Sequence, residues 1–445
     1  MHNKFLKISW PFQTTTTLIL IAVFVSVFFS SPMPGACRIY IDINAPSIQK
    51  FRIAVPEFKN LTRENQHPGL ALKLTDVLSK DLSHSGYFSL INKEAFLMQK
   101  GETLEPGNIR FKDWSVIGAE LLLYGGYTCI GRSLEIEMRL FDVFSGRQIL
   151  GKRTLGTIKE YRHLVHLLAN EIILKLTGHP GIFLTRLAFV SDRSGRKEIY
   201  ICDYDGANVR QITHNHTITI LPRLSPNGKQ IAYTSYKEGA PMVYLKDLSS
   251  GMEKRLSGRP GLNTGITWAP GARKLALTIS RNGNPDIYTI DLNGRIQKRL
   301  TTYWGIDVSP VFSPDGNRIA FVSNRSGSPQ IYILNLSSGR TDRLTFTGSY
   351  NTSPAWSRLN RIAFVSMTDG NLDIFSIDAD GGQLKRLTEN QGKNEDPSWS
   401  PDGRYLVFSS NRHGRYSLYI MNANGQNQWK LDLFSGNHTS PSWGP

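Results

Sequence analysis

In the second half of the chain, short apolar runs alternate with polar turns. Arg318-Ile319-Ala320-Phe321-Val322-Ser323 and Gln330-Ile331-Tyr332-Ile333-Leu334 are rich in β-branched and aromatic residues and read as strands. Ser313-Pro314-Asp315-Gly316 reads as a tight hairpin turn, with glycine available where φ is positive. Asn324-Arg325-Ser326-Gly327 and Ser338-Gly339 supply the next turns. The pattern predicts four strands, A to D, in a unit of 44 residues.

That unit repeats. Leu224, Trp268, Phe312, Trp356, Trp399 and Trp443 follow one another at steps of 44, 44, 44, 43 and 44. Apolar-aromatic pairs keep the same beat: Ile199-Tyr200, Val243-Tyr244, Ile287-Tyr288, Ile331-Tyr332, Ile374-Phe375 and Leu418-Tyr419. A third anchor is a basic residue followed by Leu-Thr, as in Arg299-Leu300-Thr301, Arg343-Leu344-Thr345 and Arg386-Leu387-Thr388. Three anchors in phase define a repeat architecture. Four short strands per unit match a propeller blade, and no 3.6-residue apolar period supports helical repeats. Residues 185–445 are therefore expected to form an all-β six-bladed propeller. Its first unit opens at strand B (Leu187-Ala188-Phe189-Val190), and Pro441-Ser442-Trp443 lies at the other end. The C-terminal strand should therefore supply the missing strand A and close the ring.

Residues 38–180 lack this repeat and read as an α/β domain. Arg38-Ile39-Tyr40-Ile41-Asp42, Phe51 to Val55, Glu120 to Gly126 and Leu134 to Phe141 are expected strands, the last leaving through Ser145-Gly146. Leu70, Leu74, Leu78 and Leu82 share one face of a helix from about Pro68 to Ser83. Leu164, Leu168, Ile172 and Leu176 do so over Tyr161 to Thr177, and Gly178-His179-Pro180-Gly181 stops that helix and makes a hinge.

The first 36 residues change the picture of where the protein works. Lys4 and Lys7 precede the uncharged run Leu18 to Phe29, which is short for a membrane span, and small residues and prolines follow. Residues 1–36 thus read as a signal peptide, with no membrane span after its removal. The cleavage point stays open because Pro34 precedes Ala36 unfavourably, as do lipidation at Cys37 and an uncleaved anchor. The net charge of +16 would suit nucleic acid, anionic lipid or an acidic partner, but export removes nucleic acid from that set. With 3 cysteines there is no disulfide framework, and Cys129 and Cys202 fit buried thiols in strands.

Catalytic motifs are not found. The sequence has no Gly-x-Ser-x-Gly elbow, Walker loop, dinucleotide fingerprint, His-Glu-x-x-His or Cys-x-x-Cys. No enzyme activity, metal or cofactor is expected. His163 and His166 have a spacing that a metal could use, but helix surface explains them. The Asp of Ser-Pro-Asp-Gly is replaced by Asn227, Gly271 and Leu359 in three units, which fits a turn role. The repeated Trp and Tyr are expected to pack between blades.

Propeller geometry gives a site by position. The D-to-A connections lead into the innermost strands and ring one mouth of the channel. Asn263, Thr264, Asp307, Ser309, Asn351, Thr352, Asn394, Glu395, Asp396 and His438 are the expected rim, with Arg193, Arg325 and Arg412 from B-to-C turns on the same face. The linker enters on the opposite face, so this mouth should be unobstructed.

Together these features resemble the TolB family, periplasmic proteins of the bacterial Tol–Pal system. The similarity is carried by Leu174-Lys175-Leu176-Thr177-Gly178-His179-Pro180-Gly181-Ile182-Phe183, running on through Thr185 to Val190. Arg38 to Asp42, Asp81 to Phe88 and the turn Asp203-Tyr204-Asp205-Gly206 are similar to the family as well. Ser357-Arg358-Leu359-Asn360 departs from it, and Cys37 leaves the mature start open. The resemblance implies a non-enzymatic periplasmic scaffold supporting outer-membrane integrity and constriction during cell division. It would bind the peptidoglycan-associated lipoprotein Pal at the rim. The inner-membrane protein TolA would take Arg38, Ile39, Tyr40, Ile41, Asp42, Ile43 and Asn44, an extended segment suited to strand addition. An exported propeller hydrolase acting on peptides or glycans, and a sugar-binding module, are the alternatives.

Overall fold

The structure, a computed structural model, describes residues 49–62, 67–97, 106–281 and 283–445. The expected signal peptide and the segment Arg38 to Asn44 lie outside the described residues. Among those described, no helix is long and apolar enough to cross a membrane.

The α/β region is built on a mixed sheet. Its strands are β1 (Phe51–Ala54), β2 (Lys59–Asn60), β3 (Phe88–Leu90), β4 (Leu121–Ile130), β5 (Ser133–Asp142) and β6 (Gln148–Thr157), and its helices α1 (Leu70–His84), α2 (Phe111–Val116) and α3 (Tyr161–Thr177). The order is β3-β1-β4-β5-β6, with β2 also on β4. β1 runs parallel to β3 and β4, and β4-β5-β6 form an antiparallel meander. The hydrophobic pattern did not reveal β6. It is an edge strand with most of its residues exposed or half-buried, so it lacks a strong alternation.

The helix faces read from the leucines are buried: Leu74, Leu78 and Leu82 in α1, Leu164, Leu168, Ile172 and Leu176 in α3. α3 starts after a capping box between Thr157 and Glu160, and Gly178 ends it at φ 75°. α3 has a second buried side, formed by Val165, His166, Ala169 and Ile173. His163 is exposed, but His166 is only 3% exposed. Assigning both histidines to the helix surface is corrected for His166, which that second side carries inward.

Arg186–Gln211 and Thr219 onward form six four-stranded sheets around a channel. We number the blades by their inner strands: blade one His438–Gly444, two Thr219–Leu224, three Asn263–Trp268, four Asp307–Phe312, five Asn351–Trp356 and six Asn394–Trp399. In blade one the C-terminal strand pairs antiparallel with Arg186–Ser191, so the two ends of the propeller share a sheet and the ring is closed. The closing strand also bonds sideways. Ser442 Oγ accepts from Leu224 N at 3.0 Å in blade two, and Ser440 Oγ donates to Asp396 Oδ2 at 3.1 Å in blade six.

Every inner strand carries a register shift after its second residue. The third residue is left-handed: Leu221, Gly265, Ser309, Ser353, Asp396 or Ser440. Such bulges bend the inner strand as the ring curves. Two of the repeated tryptophans tie neighbouring blades together. Trp268 Nε1 donates to Arg223 O at 2.9 Å and Trp399 Nε1 to Ala355 O at 3.0 Å, each in the preceding blade. In the A-to-B turn, Asp315 Oδ1 accepts from Ser313 Oγ at 2.5 Å and Asn317 N at 3.0 Å. Asn227 accepts from the corresponding Ser225 and Lys229, which explains why asparagine can replace the aspartate there. Cys129 and Cys202 are buried free thiols.

Candidate functional site

The α/β region packs on the A-to-B and C-to-D side of the propeller. At blade six, Tyr405 Oη donates to Ser85 O at 2.8 Å and Asn427 Nδ2 to His84 O at 3.3 Å. The His84 ring stacks on Trp429 at 3.7 Å between centroids and 3° between planes. Burial holds the His84 pKa down at about 4, so it meets Trp429 as a neutral ring. At blade one, the C-to-D turn carries Tyr204 and Asp205 against Asp81 of α1 and Arg162 and His166 of α3. The mouth ringed by the D-to-A connections therefore lies on the opposite face.

Five of the expected rim residues contribute no surface there. Asn263, Asp307, Asn351 and Asn394 are 0% exposed and His438 is 3% exposed. The asparagines open an inner strand and fasten the loop before it. Asn263 Nδ2 donates to Arg259 O at 2.7 Å, Asn351 Nδ2 to Thr347 O at 2.9 Å, and Asn394 Nδ2 to Gly392 O at 3.1 Å. Asn351 also reaches Gln330 Oε1 at 2.7 Å, and Asn394 reaches Asp373 Oδ1 at 3.0 Å. The recurring threonine of the basic-Leu-Thr anchor meets the same acceptors: Thr345 Oγ1 donates to Gln330 at 2.8 Å and Thr388 Oγ1 to Asp373 at 2.7 Å. His438 Nε2 lies 2.8 Å from Phe434 O, and its ring stands edge-on to Phe189. Burial lowers its pKa, so it is a neutral packing group. The expectation that these side chains are presented at the rim surface is corrected: polar groups at a strand start turn inward to satisfy the loop's backbone.

Thr264, Ser309, Thr352, Glu395 and Asp396 remain partly exposed on this side. Glu395 accepts a hydrogen bond from the Tyr416 hydroxyl. Of the arginines, Arg193 is exposed and lies over the Phe434 ring at 4.4 Å. Arg325 and Arg412 fold back into the wall instead. Arg325 pairs with Asp307, and Arg412 Nη2 donates to Asn394 Oδ1 at 3.1 Å.

The D-to-A connections do expose large apolar side chains. Trp304 is 82% and Phe346 73% exposed, with Ile218, Ile306 and Tyr350 between 39% and 46%. Tyr303 packs on Trp304 with centroids 5.1 Å apart, and Arg343 lies 4.9 Å over Phe346. Aromatic anchors beside cationic groups are typical of protein-binding faces. Sequence inspection passed over them because they lie outside the repeat anchors. The available signal was aromatic residues in loops between D and A strands.

Below the mouth, the channel is a cavity of about 410 Å³ lined by inner-strand residues including Arg223, Ser309, Ser353 and Asp396. Burial lowers the Arg223 pKa and Asp396 opposes that shift, so the charges in the channel are mixed.

An α/β region joined to a closed propeller, with an aromatic loop face opposite the junction, defines a β-propeller protein with an N-terminal α/β region. Residues 173–445 match the TolB beta propeller domain and residues 39–149 the TolB amino-terminal domain. The chain belongs to the TolB family. It is 44% identical over 194 residues to a Tol-Pal system protein TolB of Desulfosudis oleivorans, covering 43% of this chain and 44% of that protein. With the TolB of Geobacter sulfurreducens it shares 39% over 220 residues, 49% of each chain. The matched stretches thus span about half the length of these relatives. The crystal structure of TolB from Acinetobacter baumannii superposes with a TM-score of 0.77 at 28% identity, covering 91% of this chain and all of that one.

Proposed function

We propose that this protein is a periplasmic Tol–Pal scaffold without catalysis. The peptidoglycan-associated lipoprotein Pal docks on the propeller mouth, and the segment Arg38 to Asn44 adds a strand to TolA. In this role it supports outer-membrane integrity and constriction during division. Family membership supports the Tol–Pal assignment. The observation that carries the docking site is the exposed Trp304 and Phe346 on the face away from the α/β region. A partner covering those rings would remove apolar surface from water at roughly 25 cal/mol per Å². Thr264, Ser309, Thr352, Glu395 and Asp396 supply the polar part of the site, while Asn263, Asp307, Asn351, Asn394 and His438 hold its loops.

Immobilised Pal should capture the full chain from solution, and a TolA fragment should capture it only when residues 38–44 are present. Turnover of a peptide or glycan by the purified chain, without capture by either partner, would overturn this reading.

A further inference from the structure

The contact between α1, α3 and blade one buries a chain of alternating charge. Asp81 is 0% exposed, and its two oxygens are shared between Tyr204 and His166. The Tyr204 hydroxyl donates to Oδ1, and His166 Nδ1 lies 2.8 Å from Oδ2. The other ring nitrogen of His166 is buried with no hydrogen-bond partner, 4.0 Å from Asp205 Oδ2. Arg162 pairs with that same oxygen. The order is thus Asp81, His166, Asp205, Arg162, from helix to helix to propeller turn and back. His84 of α1 stands edge-on to Tyr204 at 6.3 Å.

With both carboxylates ionised, these four groups balance only when His166 is protonated. Two carboxylates then face one imidazolium and one guanidinium, and the buried cluster is neutral. A neutral imidazole would leave one negative charge uncompensated in a buried interface, which low polarity penalises. The three ligand-type residues Asp81, His166 and Asp205 also lie close enough to invite a metal. Arg162 already occupies the Asp205 oxygen that a cation would need, and it supplies the positive charge.

We propose that this cluster is a proton-operated latch holding the α/β region on the propeller, closed when His166 carries its proton and loosened when the proton leaves. Tyr204 and Asp205 belong to the propeller, whereas Asp81, His166 and Arg162 belong to the other region, so the charge balance exists only in the docked arrangement. Burial disfavours the charged ring, but the hydrogen bond and charge of Asp81, joined by Asp205, outweigh it and raise the His166 pKa. Burial raises that of Asp81 too, against its bonds to His166 and Tyr204. Both shifts have the same sign: the docked form binds more protons than the separated one. Docking is therefore favoured below the raised His166 pKa and weakens as pH rises through it. The latch does not depend on what occupies the mouth.

Hydrogen exchange on the full chain, read as protection factors, tests this. Amides of the Asp203 to Ala207 turn and of Ser85 should lose protection as pH rises from about 6.5 to the raised His166 midpoint, by up to about tenfold per pH unit, and level off above it. Inner-strand amides of blade four should keep theirs. In His166→Gln the turn should be less protected at neutral pH and its protection independent of pH above about 7, where His84 does not titrate. An NMR titration of the wild-type imidazole needs no variant and should place the midpoint above 6.5. A midpoint at or below 6.5, an unchanged pH slope in His166→Gln, or protection gained on adding zinc at constant pH would each overturn the latch.

Discussion

Arg325 Nη2 lies 3.1 and 3.0 Å from the two carboxylate oxygens of Asp307, and Asp307 is fully buried. The guanidinium also stacks 5.0 Å over Tyr303 and 4.9 Å over Tyr332. One B-to-C turn is thereby tied to the start of the inner strand and to the loop that presents Trp304. A residue that reads as a docking acid is a buried strut beneath the loop that exposes Trp304.

Removing the arginine while leaving the aspartate should be costly, because a buried carboxylate then has no counter-charge. Arg325→Met is expected to lower stability by about 3 kcal/mol, toward the low end for broken buried pairs because the arginine is partly exposed. Asp307→Asn should cost less. Urea unfolding of both variants and of the double variant would give the coupling, and a coupling near zero would show that the pair is not a strut.

Ring closure makes the last strand a structural keystone. Deleting residues 438–445 removes the partner of Arg186–Ser191 and the side bonds to blades two and six. Calorimetry should show the propeller transition move down by roughly 10 °C or more, beyond the few degrees expected per kcal/mol in a domain of this size. An unchanged transition would mean that the ends are not joined.

The stacked His84 sets an acid limit on the domain contact. Its pKa falls from 6.5 unfolded to about 4 in the folded protein, so its contribution is complete above pH 6.5 and is lost as pH falls toward 4. Up to about 3 kcal/mol is at stake across that window. Melting temperatures of His84→Gln should be lower than wild type at pH 7 and should converge on it near pH 4.

At the mouth, binding and stability should separate. Trp304→Ala and Phe346→Ala remove exposed rings, so stability should change by no more than about 0.5 kcal/mol. Pal capture should weaken by tenfold or more if they anchor the partner, as hot-spot aromatics do at about 2 kcal/mol each. Asn351→Ala should do the reverse first, lowering the melting temperature by leaving Thr347 O and Gln330 short of a donor. Surface plasmon resonance alongside thermal melts distinguishes the two groups.

Gly125 in β4 tests the packing of the α/β region. A Cβ there would lie 2.3 Å from the Phe58 ring, which is itself buried. Gly125→Ala should cost about 1–3 kcal/mol through overpacking, measurable by denaturant unfolding.

The repeat of 44 residues was enough to give six blades, because each unit must bury the same alternating faces against identical neighbours. The C-terminal strand followed from the phase of that repeat, and the leucine spacing placed α1 and α3. These are local patterns, repeated or periodic, and they survive without knowledge of distant contacts. The direction of side chains at the strand starts was not local. Asn263, Asp307, Asn351 and Asn394 are polar residues beside a loop, which by sequence suggests solvent. Only the assembled blade shows the orphaned carbonyls and the arginines that draw them inward. His166 was hidden for a related reason. The stripe Val165, Ala169 and Ile173 beside it signals a second buried face. Its charged partners Asp81 and Asp205 stand 85 and 39 positions away in the chain, and packing of the two regions alone brings them to one place.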